Sequence, residues 1–141
     1  MIGKLSKELA EAVLETLPIE FSVLDKNDKV AAWNRHETRI FRRPESVVGR
    51  DVRNCHPQKS LDKVEKILSE MKSGKRDKAR FWIDMGPEPS KEGDKSRLQS
   101  RKMLIEYYAL RNKKGEYLGC LEASQDITEI QKLSGQKRLL D

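Results

Sequence analysis

The amino-acid sequence predicts an α+β domain, in which a five-stranded antiparallel sheet carries helices on one face and is flanked by a helix at each end. Two strand-like pairs point to the sheet, because each pair is joined by a short turn segment, KNDK at residues 26–29 and NKKG at residues 112–115. A third observation is the apolar spacing within residues 60–74, which is typical of a helix and separates the first strand pair from the later strands.

Length and composition favour a single soluble domain. The chain has 141 residues, enough for one hydrophobic core, and 37% of them are charged against 36% hydrophobic. No apolar stretch approaches the length of a membrane span and the N-terminus does not resemble a signal peptide, so we expect a cytoplasmic protein without a membrane partner. The net charge of +6 permits nucleic-acid binding. However, the basic residues are mixed with acidic ones and lack interleaved aromatics, a pattern that favours a solvated surface over a nucleic-acid partner.

The first half of the chain is predicted to form a helix followed by a hairpin of two strands. Leu5, Leu9, Val13 and Leu17 have helical spacing, and Pro18 ends that helix, so residues 1–17 are predicted to form an N-terminal flanking helix. Alternating residues then predict strands at 19–24 and 30–33, and Pro44 is expected to open a short helix.

A longer helix and three strands are predicted to follow. Ser60 is the expected N-cap of the helix and Gly74 its end, with an apolar stripe between them at Leu61, Val64, Ile67, Leu68 and Met71. Strands are predicted at 79–85, 103–110 and 117–124. The segment between the first two is rich in Pro, Gly, Ser and charge and predicts a long loop over residues 86–102.

These elements and their residues resemble the PAS fold. The resemblance is carried by LPIEFSVLDKNDKVAAWNR, by RRPESVVGRDV and by GEYLGCLEASQDITEIQKL, which contains the triplet Asp126-Ile127-Thr128 that commonly closes a PAS core. A closer resemblance, to a prokaryotic PAS subfamily that often follows a hemerythrin-like domain, extends over RIFRRPESVVGRDVRNCHPQKSLDKVEKIL, ARFWI and GQKRLLD. It implies a PAS core over residues 18–128 with the long loop at 86–102. After this core, Ile127, Ile130 and Leu133 have helical spacing and predict a C-terminal helical tail over 129–141.

The resemblance implies a non-catalytic sensory or signalling domain. Such a domain binds a small ligand or cofactor between the inner sheet face and the helices, relays occupancy to its flanking helices, and forms a homodimer. The alternative is a ligand-free protein–protein interaction module that only dimerises. An enzyme is not expected, because the sequence shows no acid–base pair, metal cluster or phosphate-binding glycine loop.

The segment Asn54-Cys55-His56-Pro57 carries the first candidate site residues. By resemblance, His56 lies near the position from which haem-binding PAS domains offer an axial histidine, so haem is the leading cofactor candidate and His56 its metal ligand if haem is bound. In the alternative interpretation, His56 and Pro57 only shape the loop that leads into the helix. Cys55 is displaced by three residues from the reactive cysteine of flavin-binding PAS domains and is interpreted as a buried or redox-sensitive thiol beside the ligand. His36 is given no chemical role.

The last strand leaves two orientations open. If Cys120 faces inward, Glu122 and Ser124 face inward as well, whereas the opposite orientation buries Leu121 and Ala123. The resemblance favours the first orientation, and Glu122 and Ser124 are therefore predicted ligand contacts. The aromatic residues Tyr107, Tyr108 and Trp82 could line either face of the sheet. Of these, Tyr107 is also a predicted ligand contact.

Overall fold

The elements of the structure, a computed structural model that describes residues 2–35, 37–86 and 100–139, follow the predicted order. In chain order they are α1 (Lys7–Thr16), β1 (Glu20–Asp25), β2 (Val30–Trp33), α2 (Gln58–Lys72), β3 (Lys78–Met85), β4 (Arg101–Arg111) and β5 (Tyr117–Asp126), with short 3-10 turns at Glu45–Val47, Val52–Cys55 and Ile130–Lys132. Within the described ranges, no helix has the length and apolar character that crossing a bilayer requires.

The five strands form one antiparallel sheet in the order β2-β1-β5-β4-β3. Directly paired residues of an antiparallel sheet share a face, so the pairs Ser22–Glu122, Glu122–Tyr107 and Tyr107–Ala79 define one row across the inner face. α2 packs on this face through its buried side chains Val64, Leu68 and Met71. The prediction of a five-stranded sheet with helices on one face is therefore confirmed.

α1 forms where the apolar spacing predicted it but stays on the surface. The Ser6 hydroxyl accepts a hydrogen bond from the Leu9 amide at 3.1 Å and caps the helix, which ends at Thr16 before Pro18. None of the residues of α1 is buried. A side-chain amide fixes the helix to the rest of the domain, since Asn34 Nδ2 donates to the Leu14 carbonyl at 2.9 Å.

The start of α2 differs from the prediction that Ser60 is its N-cap. The helix begins at Gln58, and Pro57 occupies the capping position with φ −60° and ψ 144°. The Ser60 hydroxyl lies inside the first turn and donates to the Pro57 carbonyl at 2.9 Å. Proline fixes the backbone angle that a helix start needs, which explains why the helix begins earlier than a serine cap predicts. The helix ends as predicted, with Gly74 at φ 76°.

β4 begins earlier than predicted. Arg101 and Lys102 were expected in the long loop, but they pair with Met85 and Asp84 of β3, and Lys102 Nζ lies 2.7 Å from Asp84 Oδ1. Residues 87–99 of the predicted loop lie outside the described residues.

The predicted C-terminal helix over residues 129–141 is wrong for residues 133–139. One 3-10 turn at Ile130–Lys132 is followed by extended backbone at Leu133, and residues 140–141 lie outside the described residues. Of the three apolar residues that suggested the helix, Ile127 is half-buried, while Ile130 and Leu133 are 48% and 80% exposed. An amphipathic pattern without a surface to cover gives little helix stability, because helical stability in proteins comes mostly from packing.

The triplet before this tail ties the end of β5 to β4. Asp126 Oδ1 accepts from the Thr128 amide at 2.9 Å. The Thr128 hydroxyl accepts from the Lys102 amide of β4 at 2.9 Å.

Candidate functional site: a cavity between α2 and the sheet

A cavity of about 880 Å³ lies between α2 and the inner face of the sheet. Its walls come from the segment after β2, from the residues that precede α2, from α2 itself and from β3, β4 and β5. Small-molecule sites commonly have volumes of about 300–1,000 Å³ and mostly apolar walls. The apolar lining residues are Phe41, Val64, Ile67, Phe81, Ile83 and Ile105.

The register of β5 decides which of its residues face this cavity. Cys120, Glu122 and Ser124 pair with inner-face residues of β1 and β4, which settles the two orientations that the sequence left open. Glu122 lines the cavity. Ser124 is buried and is not among the described lining residues, while Cys120 packs against Met71 with its sulfur 3.8 Å from the thioether. Burial raises the pKa of the Cys120 thiol to about 12, so this thiol stays protonated.

Tyr107 and His56 meet inside the cavity. The Tyr107 hydroxyl lies 3.5 Å from Nε2 of His56, and the tyrosine ring packs edge-on against Phe81. Burial raises the pKa of Tyr107, and burial also lowers the pKa of His56 from its usual 6.5, with the Glu122 carboxylate opposing that shift. At neutral pH both groups are therefore uncharged, and the tyrosine keeps a proton to donate.

Arg43 and Glu122 form a charged pair in the same wall. Arg43 Nη2 lies 3.5 Å from Glu122 Oε2, and the two side chains are 14% and 17% exposed. Arg43 Nε is buried and has no hydrogen-bond partner among the described residues. Arg42 and Lys63, both exposed, also line the cavity. None of these three basic residues was predicted as a site residue, although the Arg-Arg pair before Pro44 was a signal for two of them.

The remaining predicted residues lie at the edge of the cavity or away from it. Cys55 is half-buried, lines the cavity, and its thiol donates to the Asp51 carbonyl at 3.7 Å. Tyr108 and Trp82 alternate with inner-face residues and lie on the outer face, where Trp82 is 64% exposed. His36 lies outside the described residues.

The residues fit a haem in part. The cavity is large enough, and a neutral imidazole of the kind that iron binds faces it. The orientation does not fit, because Nε2 of His56 faces the Tyr107 hydroxyl, which fills the space that an iron bonded to this nitrogen would need. As a separate finding that does not bear on haem, no cluster of three or more His, Cys, Asp or Glu side chains within the described ranges could hold a metal ion.

A buried polar network supports the wall that carries Phe41 and Arg43. Glu20 accepts hydrogen bonds from the amides of Ile40 and Phe41. Arg39, also buried, donates from Nε to the Phe41 carbonyl at 3.0 Å and lies 4.0 Å from Glu20. These contacts hold the wall segment against β1.

Asn34 extends this network to α1. Arg39 Nη1 donates to the Asn34 carbonyl at 3.0 Å, and Asn34 Nδ2 donates to the carbonyls of Leu14 and Ile19 at 2.9 and 3.0 Å. Arg39 therefore touches both the cavity wall and the residue that fixes α1.

Comparison with known proteins identifies the family. A family model described as a PAS domain matches residues 10–128. The crystal structure of a C-terminal domain from Streptococcus mutans is 34% identical, with a TM-score of 0.77, and the match covers 95% of this chain and 94% of that one. A sensory box sensor histidine kinase from Vibrio cholerae is 14% identical with a TM-score of 0.52, covering 86% and 91%.

A Vibrio cholerae VqmA–ligand–DNA complex is 16% identical with a TM-score of 0.57, and the match covers 96% of this chain and 63% of that one. Among proteins with curated functions, a sequence search finds no match. The family model spans most of the chain, and the five-stranded antiparallel sheet agrees with it. The chain therefore belongs to the PAS domain family, whose members occur in sensory and signalling proteins.

Proposed function

We propose that this chain is a non-catalytic sensory domain that binds a small organic molecule in the cavity between α2 and the sheet. The observation that carries the proposal is the cavity itself, about 880 Å³ in volume, in which polar groups converge within a mostly apolar wall. The converging groups are Arg43, His56, Tyr107 and Glu122. The likeness to VqmA, solved as a complex with a ligand and DNA, supports a ligand-binding role.

We further propose that occupancy of the cavity is relayed to α1. A ligand that contacts Phe41 or Arg43 changes the position of a segment whose main chain is bonded to Arg39. Arg39 bonds the Asn34 carbonyl, and the Asn34 side chain bonds Leu14 in α1. A buried polar network whose members are all bonded is rigid, so a shift of one member is passed to the next, which supports this route.

The ligand is proposed to bind without iron coordination by His56. The imidazole faces Tyr107, so in this arrangement it serves as a polar contact of the cavity. The narrower resemblance to PAS domains that follow hemerythrin-like domains stays a prediction.

The second candidate function is a ligand-free dimerisation module. It is favoured by the apolar side chains of α1, because Leu9, Val13 and Leu14 are each more than a third exposed on one short helix. Homodimerisation through α1 is proposed for either function. Sedimentation velocity at rising protein concentration tests the homodimer, and a chain that stays monomeric at high concentration would contradict it.

Native mass spectrometry of the protein as purified separates the two functions. A sensory domain is expected to retain a small molecule, seen as added mass that disappears on denaturation. Ile67→Trp, which places a large side chain in the cavity, is the matched control and should lose the added mass while keeping the circular dichroism spectrum. Added mass that persists in this variant would place the molecule elsewhere, and its absence from both proteins would favour the dimerisation module.

A further inference from the structure

The charge of the cavity lining indicates which class of ligand it takes. This inference rests on the proposed function, because it names the ligand of the same cavity. We propose that the ligand is an amphipathic organic anion, with a carboxylate held by Arg43 and an apolar body between α2 and the strands β3 and β4. The proposal depends on the charge balance of the lining, on the unused donors of Arg43 and on the distribution of apolar side chains.

The described lining residues carry more positive than negative charge. Arg42, Arg43 and Lys63 are cations, while Glu122 is the one carboxylate among them. His56 adds no charge at neutral pH, since its pKa is lowered by burial. The described lining is therefore positive by two charges, which favours an anion over a cation of the same shape.

Arg43 has hydrogen-bonding capacity that its protein partner does not use. A guanidinium presents five N–H donors in a plane, and Glu122 takes a long contact at 3.5 Å from Nη2. The buried Nε has no partner among the described residues, and a buried donor without an acceptor is unfavourable. A carboxylate accepts from two neighbouring guanidinium donors at once, so the Arg43 donors that Glu122 leaves unused suit an anionic group in the cavity.

The apolar side chains of the cavity lining indicate that the rest of the ligand is a hydrocarbon body. Phe41 and Phe81 offer aromatic surfaces, and Val64 and Ile67 of α2 face them across the cavity. Tyr107 keeps its proton and can donate to a second oxygen of the ligand. A molecule with one charged end and a flat hydrocarbon body matches this distribution.

Calorimetric titration with 1-naphthoate and 1-naphthamide tests the inference, because the two probes share one body and differ in charge. The intact chain should bind the naphthoate about tenfold or more tightly than the naphthamide, a difference of about 1.4 kcal/mol or more. Arg43→Gln should reduce the ratio of the two affinities to near one. Glu122→Gln should raise naphthoate affinity, because it removes the competing carboxylate.

Arg50→Gln is the matched control, since Arg50 is exposed and is not among the described lining residues. It makes the same change of net charge and should leave the ratio unchanged. If Arg43→Gln fails to fold because Glu122 loses its partner, the double variant Arg43→Gln/Glu122→Gln removes both charges and should show the same ratio near one.

Equal affinity of the intact chain for both probes, or a ratio that survives the loss of Arg43, would overturn the anion assignment while leaving the cavity as a ligand site. A chain that binds neither probe overturns this inference alone, because the proposed function is decided by the mass measurement on the protein as purified. Weaker naphthoate binding by Glu122→Gln would show that the carboxylate assists the ligand, and would also overturn the assignment.

Discussion

Arg39 connects the cavity wall to the sheet through its hydrogen bonds. Replacing it by methionine tests how much these bonds contribute to the stability of the fold. The side chain is 5% exposed and lies 4.0 Å from the equally buried carboxylate of Glu20. It donates mostly to main-chain carbonyl groups. The acceptors are the carbonyl oxygens of Phe21, Asn34 and Phe41 at 2.9, 3.0 and 3.0 Å, and Ser22 Oγ at 3.2 Å.

Arg39→Met should lower the free energy of unfolding by about 3 kcal/mol. Removing one partner of a buried ion pair costs about 3–5 kcal/mol, because the other charge is left buried. The lower end applies here, since the Glu20 carboxylate still accepts from the amides of Ile40 and Phe41. With a urea dependence of about 1–3 kcal/mol/M, the unfolding midpoint should fall by about 1–3 M.

Urea unfolding followed by circular dichroism measures this change. Arg50→Met is the control and should stay within about 0.5 kcal/mol of the parent, because its side chain is exposed. Glu20→Gln is not expected to repair the loss, because the two carboxylate oxygens accept from different amides, those of Ile40 and Phe41, and glutamine has only one acceptor oxygen. A loss below about 1 kcal/mol for Arg39→Met would refute the reasoning.

Three other predictions concern the cavity and the sheet. The pKa of His56 is lowered in the folded protein, so the unfolded chain binds this proton first and the free energy of unfolding should fall as the pH drops below about 6.5. His56→Gln should flatten that part of a urea–pH profile, and an unchanged profile would contradict the assignment. Gly119→Ala should lower the melting temperature, because its Cβ would overlap the Leu24 carbonyl oxygen, whereas Gly86→Ala, with open space around its Cα, should not. Haemin titration should give no Soret band that His56→Ala shifts, and a band that this variant abolishes would instead establish iron ligation.

The sequence could predict β5 as a strand but not the face it turns to the cavity. The alternation of Cys120, Glu122 and Ser124 with Leu121 and Ala123 fixes two faces, since side chains repeat every two residues. Both faces carry residues of mixed polarity, so burial preference does not choose between them. The choice depends on the register with β1 and β4, which is set by pairing between distant segments.

α2 was predictable because its signal is local. Val64, Leu68 and Met71 repeat at helical spacing and are the residues that the helix buries. The same spacing at Ile130 and Leu133 predicted a helix that is not there, because the structure gives these side chains no surface to cover. Periodicity indicates which residues a helix would bury, and tertiary contact decides whether the helix forms.

Arg39 and Asn34 were not predicted from the sequence, because their partners are mostly main-chain carbonyls, which every residue carries and which no sequence pattern marks.

The positions of Arg39 and Asn34 also indicate which end of the chain responds to the cavity in the proposed relay. The chain after β5 is fixed to β4, because the Thr128 hydroxyl accepts from the Lys102 amide. α1 buries none of its residues, and a hydrogen bond from Asn34 to Leu14 attaches it to the residue that Arg39 contacts. A helix attached by polar contacts and little packing changes position at low energetic cost, so α1 is better placed than the C-terminal tail to respond to the cavity.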